Sequence, residues 1–388
     1  IKSVAEKVGK MKTWKKPKIL QSIHHKCLLF LLFLITVIHM VSWNSRSFTD
    51  WYRLHVFPIW TNLIGRMSGL FTGSVGEILI AAGIFLALAE AVLLTVSVLS
   101  RGRFLRRRSF HLRLICWIFV YIDAPETLNC YVMYHATTVE EQFFDSGADY
   151  GRQELIEAYT QVVTKANELS ARVKRNADKA PVYDGSKEEL YAQCIRAMRA
   201  QGEVYPYLAG YYPDPKPIRA SHFMSQQYLL GIYFPFTMEA NYNTVMYPVN
   251  MPATICHEYS HLKGVILEDE ANYFGFAACI ESEDPYLQYS GYLSVLGYLA
   301  RQVRQSVPEE IRKTLAAANE QVCKDDVFLT EEQWEQVEKK AILSTDTVNQ
   351  ATNVFLETNL TMNGIEDGMN SYSRVVRLVI CYYAQKMK

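Results

Sequence analysis

Gly76–Ser100 holds only two charged residues, Glu77 at one edge and Glu90 inside, among apolar and small side chains. As a helix such a run is long enough to cross a hydrocarbon core about 30 Å thick, and nothing in it suits a water-facing surface. A second apolar run, Cys27–Trp43, is interrupted only by His39 and a few hydroxyls. Its 17 residues rise about 25 Å as a helix. No small-x-small cleavage site follows it, which favours a membrane span over a signal peptide. Glu90 in mid-span is expected to face another helix or to snorkel. A third span, Leu112–Ala136, is apolar over Leu114–Ile122 and then broken by Asp123, Pro125 and Glu126. It reads as a membrane helix whose outer half lines a protein-covered cleft, or as a short span ending near Asp123. Residues 44–75, with Trp51, Tyr52, Phe57 and Trp60, have the aromatic content of an interfacial loop.

Charge then sets the expected orientation. Formal charge balances at 40 basic against 40 acidic residues, but the bases crowd the first 113 positions. Eight lysines precede the first span and six arginines follow the second, between Arg101 and Arg113. Only Arg46, Arg53 and Arg66 lie between these spans, so the positive-inside rule puts the N-terminus and the 101–113 loop in the cytoplasm. Three spans (27–43, 76–100, 112–136) place the region from 137 to 388 outside the cytoplasm, at the surface of a plasma membrane. If the third does not cross, that region is cytoplasmic. Basic residues that flank apolar runs do not form a nucleic-acid surface. Eight cysteines without CxxC pairs argue against a cysteine zinc site, and five of them after residue 137 argue against a complete disulfide framework, with one or two bridges left open.

The region 137–388 reads as mainly α with a small strand element. Helical spacing marks Arg152–Lys179, and Ser186 with Glu189 forms a capping box for a helix to about Val204. Tyr228–Phe234, closed by Pro235, suits a strand, which could be a core strand or an edge offered to an extended peptide. Helices are expected over Glu270–Ile280, Gly291–Val303, Pro308–Lys324, from Thr330 to about Glu357, and over Ser371–Tyr383.

Within this frame lies His257-Glu258-Tyr259-Ser260-His261. Histidines four apart share a helix face and can grip one metal ion, with Glu258 beside them to take a proton from a bound water. A catalytic zinc takes three protein ligands and keeps one position open. Glu268 and Glu270 are the candidates for the third, brought back by a bend at Gly264, where a side chain would resist an unusual turn. Glu239 and Asn241, between strand and motif, read as a turn or cap that could border the cleft. His222, Tyr242 and Tyr247 qualify as oxyanion donors by residue type alone. Cys256 reads as a buried structural thiol.

Glu268-Asp269-Glu270-Ala271-Asn272 resembles the Glu-x-x-Ala-Asp/Asn box of integral-membrane zinc proteases of the CAAX-processing and heat-shock type. It also resembles the Glu-Ala-Asn-x-Phe-Ala box of soluble bacterial repressor-cleaving zincins. The first resemblance implies Glu268 as the third ligand and Asn272 as the partner of a ligand histidine; the second leaves Glu270 open. The distance from His261 to the box is shorter than in both. Three N-terminal spans together with Gly231–Phe236, Glu239–Asn241, His257–His261 and Glu268–Asn272 resemble more closely an uncharacterised bacterial family of membrane proteins, a domain of unknown function. That resemblance implies a zincin-like zinc metalloprotease with no established substrate. The expected activity is peptide-bond hydrolysis with Zn2+ as cofactor, Glu258 as general base, and a peptide or protein substrate in or near the bilayer. The alternative is a catalytically silent zincin-fold membrane protein that binds or senses a partner.

Overall fold

A computed structural model describes residues 23–99, 105–145, 150–365 and 374–386. Much of the N-terminal lysine-rich segment, the first four residues of the 101–113 loop and the start of the segment expected over Ser371–Tyr383 lie outside them. The chain begins with α1 (Ile23–Asn44), followed by the short helices α2 (Arg46–His55), α3 (Phe57–Trp60) and α4 (Arg66–Ser68). Next come α5 (Val75–Leu99) and α6 (Leu105–Asn129). Helices α1 and α5 are long and apolar enough to cross a membrane. Their most apolar stretches are almost wholly exposed, unlike the core helix of a water-soluble domain.

Helix α6 is not apolar enough to join that pair. It runs unbroken through Asp123 and Pro125 to Asn129, where a 3-10 turn over Tyr131–His135 takes over. It therefore neither stops at Asp123 nor reaches 136. It packs against both α1 and α5. Glu90 faces it, with its carboxylate 2.9 Å from His111 Nδ1.

The remainder is helical with one small sheet. Helices α7 (Val139–Phe143), α8 (Arg152–Ser170) and α9 (Lys187–Gln201) lead to β1 (Lys216–Ile218), α10 (Ser221–Gln226), β2 (Gly231–Phe234) and β3 (Glu239–Asn243). Then follow α11 (Met251–His261), α12 (Glu268–Ile280), α13 (Pro285–Ser306), α14 (Glu309–Arg312), α15 (Glu320–Asp325), α16 (Glu331–Lys340), α17 (Thr345–Met362) and α18 (Val375–Lys386). The sheet order is β1-β3-β2, with β1 parallel and β2 antiparallel to β3. One edge of β2 has no strand partner among the described residues. The core forms where α11, α12 and α13 pack on one another and on α8, α9 and α18.

Local chemistry explains where elements stop. The expected capping boxes start α9 at Ser186 and α16 at Thr330. The helix expected over Arg152–Lys179 ends at Ser170, because Arg175 turns back to hydrogen-bond the Ser170 carbonyl and to pair with the buried Asp325. No single helix covers Pro308–Lys324. Asn319 caps α15 at the Val322 N–H and is held by Asn167 and Ser170 of α8, so residues 314–319 stay non-helical. The helix expected from Thr330 to Glu357 divides at residues 341–344, and Ser344 caps the second half.

Candidate metal centre

The site is built on α11 and the turn that follows it. His257 and His261 lie one helical turn apart, their rings nearly perpendicular and their Nε2 atoms 3.1 Å apart. The helix ends at His261, and the turn after it reaches Gly264, whose φ of 79° is open to glycine and strained for other residues. The turn is closed by Gly264 N–H to the His261 carbonyl and Val265 N–H to the Ser260 carbonyl. Three residues later α12 begins at Glu268. Gly275 lets α12 lie close on α11, since a Cβ there would come within 2.8 Å of the Ala253 carbonyl oxygen.

This return brings the Glu268 carboxylate to 3.2 Å from His257 Nε2 and 3.7 Å from His261 Nε2. The three donors form the one histidine, cysteine or carboxylate cluster of metal-holding geometry found among the described residues. Four ligands about 2.0–2.1 Å from a tetrahedral zinc stand about 3.3 Å from one another, so the donor spacing fits such an ion. Glu270 points elsewhere: its buried carboxylate accepts the Val139 N–H at 2.6 Å, and burial pushes it up to about 8. Asn272 lies beside His257, close enough to favour its protonated ring.

The surroundings fix the state of each donor. His261 Nδ1–H donates to the Val265 carbonyl at 2.7 Å, which leaves Nε2 with its lone pair towards the cluster. Burial lowers the His261 pKa to about 4, against the opposing charge of Glu268, so the ring is neutral near pH 7. For His257, burial acts downward but is outweighed by Glu268, Glu258 and Asn272, and the net shift is upward. Glu268 is held below its ordinary value because the two histidines outweigh its burial. Glu258 is pushed to about 8, chiefly by burial, with His257 opposing. Its Oε2 is buried without a hydrogen-bond partner, and its Oε1 lies 4.0 Å from His257 Nε2. Gly231 of β2 covers this carboxylate so closely that any side chain there would overlap it.

A cleft of about 590 Å³ opens onto the cluster. All of β2 lines it, together with Ile80 of α5, Glu126 of α6, Leu356 of α17 and Tyr298 of α13. Tyr298 lies within electrostatic reach of Glu268 and was not suggested by any local sequence pattern. Glu239 and Asn241 do not border the cleft. The Glu239 carboxylate accepts the backbone N–H groups of Val75 and Gly76, where α5 begins, and pairs with buried Lys216. Asn241 donates to the Ile232 carbonyl within the sheet. His222 contacts Lys340, Tyr242 contacts Tyr191, and Tyr247 contacts Asp325, so none of the three reaches the site. Cys256 lies 3.8 Å from Cys279 in the core, and all eight cysteines are free thiols.

Fold and site together define a mainly helical protein with two apolar helices suited to a membrane and a two-histidine, one-glutamate cluster at the base of a cleft. The chain belongs to the family described as a protein of unknown function, DUF3810, whose profile matches residues 52–380. No curated protein and no solved structure matches it.

Proposed function

We propose that the protein is a membrane-anchored zinc peptidase with a zincin-like helical domain, acting on peptide or protein substrates at the outer face of the plasma membrane. The observation that carries this reading is the convergence of His257, His261 and Glu268, with donor atoms within 4.8 Å of one another, beside the buried Glu258 Oε2, which has no hydrogen-bond partner. Zinc, when bound, supplies Lewis acidity and a water whose pKa falls towards about 7. The chain's own residues do the rest. Val265 and Asn272 orient the two imidazoles, Glu268 completes the shell, and Glu258 takes a proton and returns it to the leaving amine. The free edge of β2 along the cleft suits an extended peptide added as a strand, and Gly231 brings that edge against Glu258. Tyr298 offers a phenolic donor for the developing oxyanion. Placement outside the cytoplasm requires α6, packed on α1 and α5, to return the chain across the bilayer, and the lysines and arginines on the far side of the apolar runs support it. A compartment reporter fused after Lys388 decides it.

Zinc analysis of purified protein tests the centre. Metal is expected in the wild type and lost in His257→Ala; a metal-free wild type sinks the reading. Glu258→Gln should keep its zinc and lose peptide cleavage by about 10²–10⁴-fold. Undiminished cleavage would remove Glu258 from the role of base.

A further inference from the structure

Helix α17 buries only Thr345, Val348 and Leu360, and its exposed side carries two chemically different strips. At 3.6 residues per turn, Thr347, Ala351, Val354, Phe355, Thr358 and Met362 share one side; all are exposed and none is charged. Asp346, Gln350, Asn353 and Glu357 share the adjacent side. A helix surrounded by water has no use for Val354, Phe355 and Met362 at 63%, 68% and 73% exposure. Ile342, at 98%, stands just before the first turn.

Both ends of α17 are tied to the ends of the apolar helices. At its start, the Gln226 side chain of α10 donates to the Leu343 carbonyl and to the Thr345 hydroxyl. Immediately before α10, the Arg219 and Ala220 N–H groups donate to the Glu77 carboxylate in the first turn of α5. Beyond its end, Gly364 lies against the Trp43 ring in the last turn of α1. Asn359 also lies beside Tyr131, just past the end of α6, close enough to act on its hydroxyl. The C-terminus of α1 and the N-terminus of α5 leave a bilayer on the same side. A helix of 18 residues, about 27 Å long, pinned between those two points runs along the membrane surface.

We propose that α17 is an in-plane membrane helix, with Val354, Phe355 and Met362 embedded at the phospholipid headgroup–acyl boundary. Its charge-free strip against a polar strip is the pattern of an interfacial helix. Through Leu356 the same helix walls the cleft, which therefore opens at the lipid surface. The inference rests on the membrane-anchored part of the reading above and is independent of the metal.

Collisional quenching tests it in the full-length protein, reconstituted in phosphatidylcholine–phosphatidylglycerol vesicles that carry nitroxide lipids. Cys27, Cys116, Cys130 and Cys323 are replaced by serine, and single cysteines are introduced and labelled with a fluorophore. Labels at Val354→Cys, Phe355→Cys and Met362→Cys should be quenched several-fold more than labels at Gln350→Cys and Asn353→Cys. Three positions on the strip allow for one variant that fails to fold. A label at Phe85→Cys, on the exposed side of α5, reports the anchoring itself. Weak and equal quenching along α17 beside strong quenching at Phe85 overturns the proposal alone. Weak quenching at Phe85 as well overturns the membrane reading with it. Strip labels that are unquenched and become protected as protein concentration rises would assign the strip to a second copy of the chain and overturn lipid contact.

Discussion

Gly231→Ala would place a methyl group into the space held by the Glu258 carboxylate without touching a metal donor. Zinc content should be unchanged while cleavage falls by about 10²-fold, the usual effect of displacing a reacting group by about an ångström. Parallel metal analysis and peptide turnover check this, and wild-type turnover would show that β2 does not set the position of Glu258. The two glutamates after the bend give a second comparison. Glu268→Gln should weaken zinc binding strongly, whereas Glu270→Gln should retain the metal, because that carboxylate is committed to the Val139 N–H. His257, Glu258 and His261 were legible in the sequence because a spacing of four on a helix is a local property. The choice between Glu268 and Glu270 was not, because residues two apart on a helix point to nearly opposite sides. The angle at which α12 leaves the Gly264 turn decides which one faces the histidines. Tyr298 had no signal at all, since it arrives from α13 through tertiary packing.

At the scale of elements, the Gly264 turn is the joint on which the donor set depends. Gly264→Ala forces a side chain into left-handed backbone at a cost of about 1–2 kcal/mol. Its Cβ would also crowd the Met133 sulfur and the Arg53 side chain, at 3.2 and 3.3 Å. A lower unfolding midpoint and weaker zinc affinity are expected together. An unchanged zinc affinity would show that the entry of α12 does not depend on the turn. The bend at Gly264 and the capping boxes at Ser186 and Thr330 were readable because each is a short pattern with its own hydrogen bonds. The breaks at 314–319 and 341–344 were hidden, because side-chain caps won over a helical pattern that looks continuous. At the first of them the deciding partners, Asn167 and Ser170, lie about 150 residues away.

For the whole molecule, the joint between the apolar helix α5 and the sheet is a buried ion pair. Lys216 and Glu239 are almost inaccessible, and Glu239 also accepts two backbone N–H groups at the start of α5. Lys216→Met would strand that carboxylate at a cost of about 3–5 kcal/mol, seen as a lower unfolding midpoint, and adding Glu239→Gln should recover part of it. Full stability in Lys216→Met would mean that the α5 N-terminus alone satisfies Glu239. The attachment has a mechanical consequence. With the first turn of α5 bonded to the central strand of the sheet, the proposed membrane placement leaves no hinge between the cleft and the bilayer, and would hold the cluster at one altitude above the lipid. The proposed peptidase, mounted this way, would measure distance before it reads side chains. In a series of membrane-tethered substrates whose scissile bond is moved outward residue by residue, at about 3.3 Å per extended residue, cleavage should peak at one spacing and fall on either side. A flat response would mean that substrates bend to the site, so that sequence alone selects them.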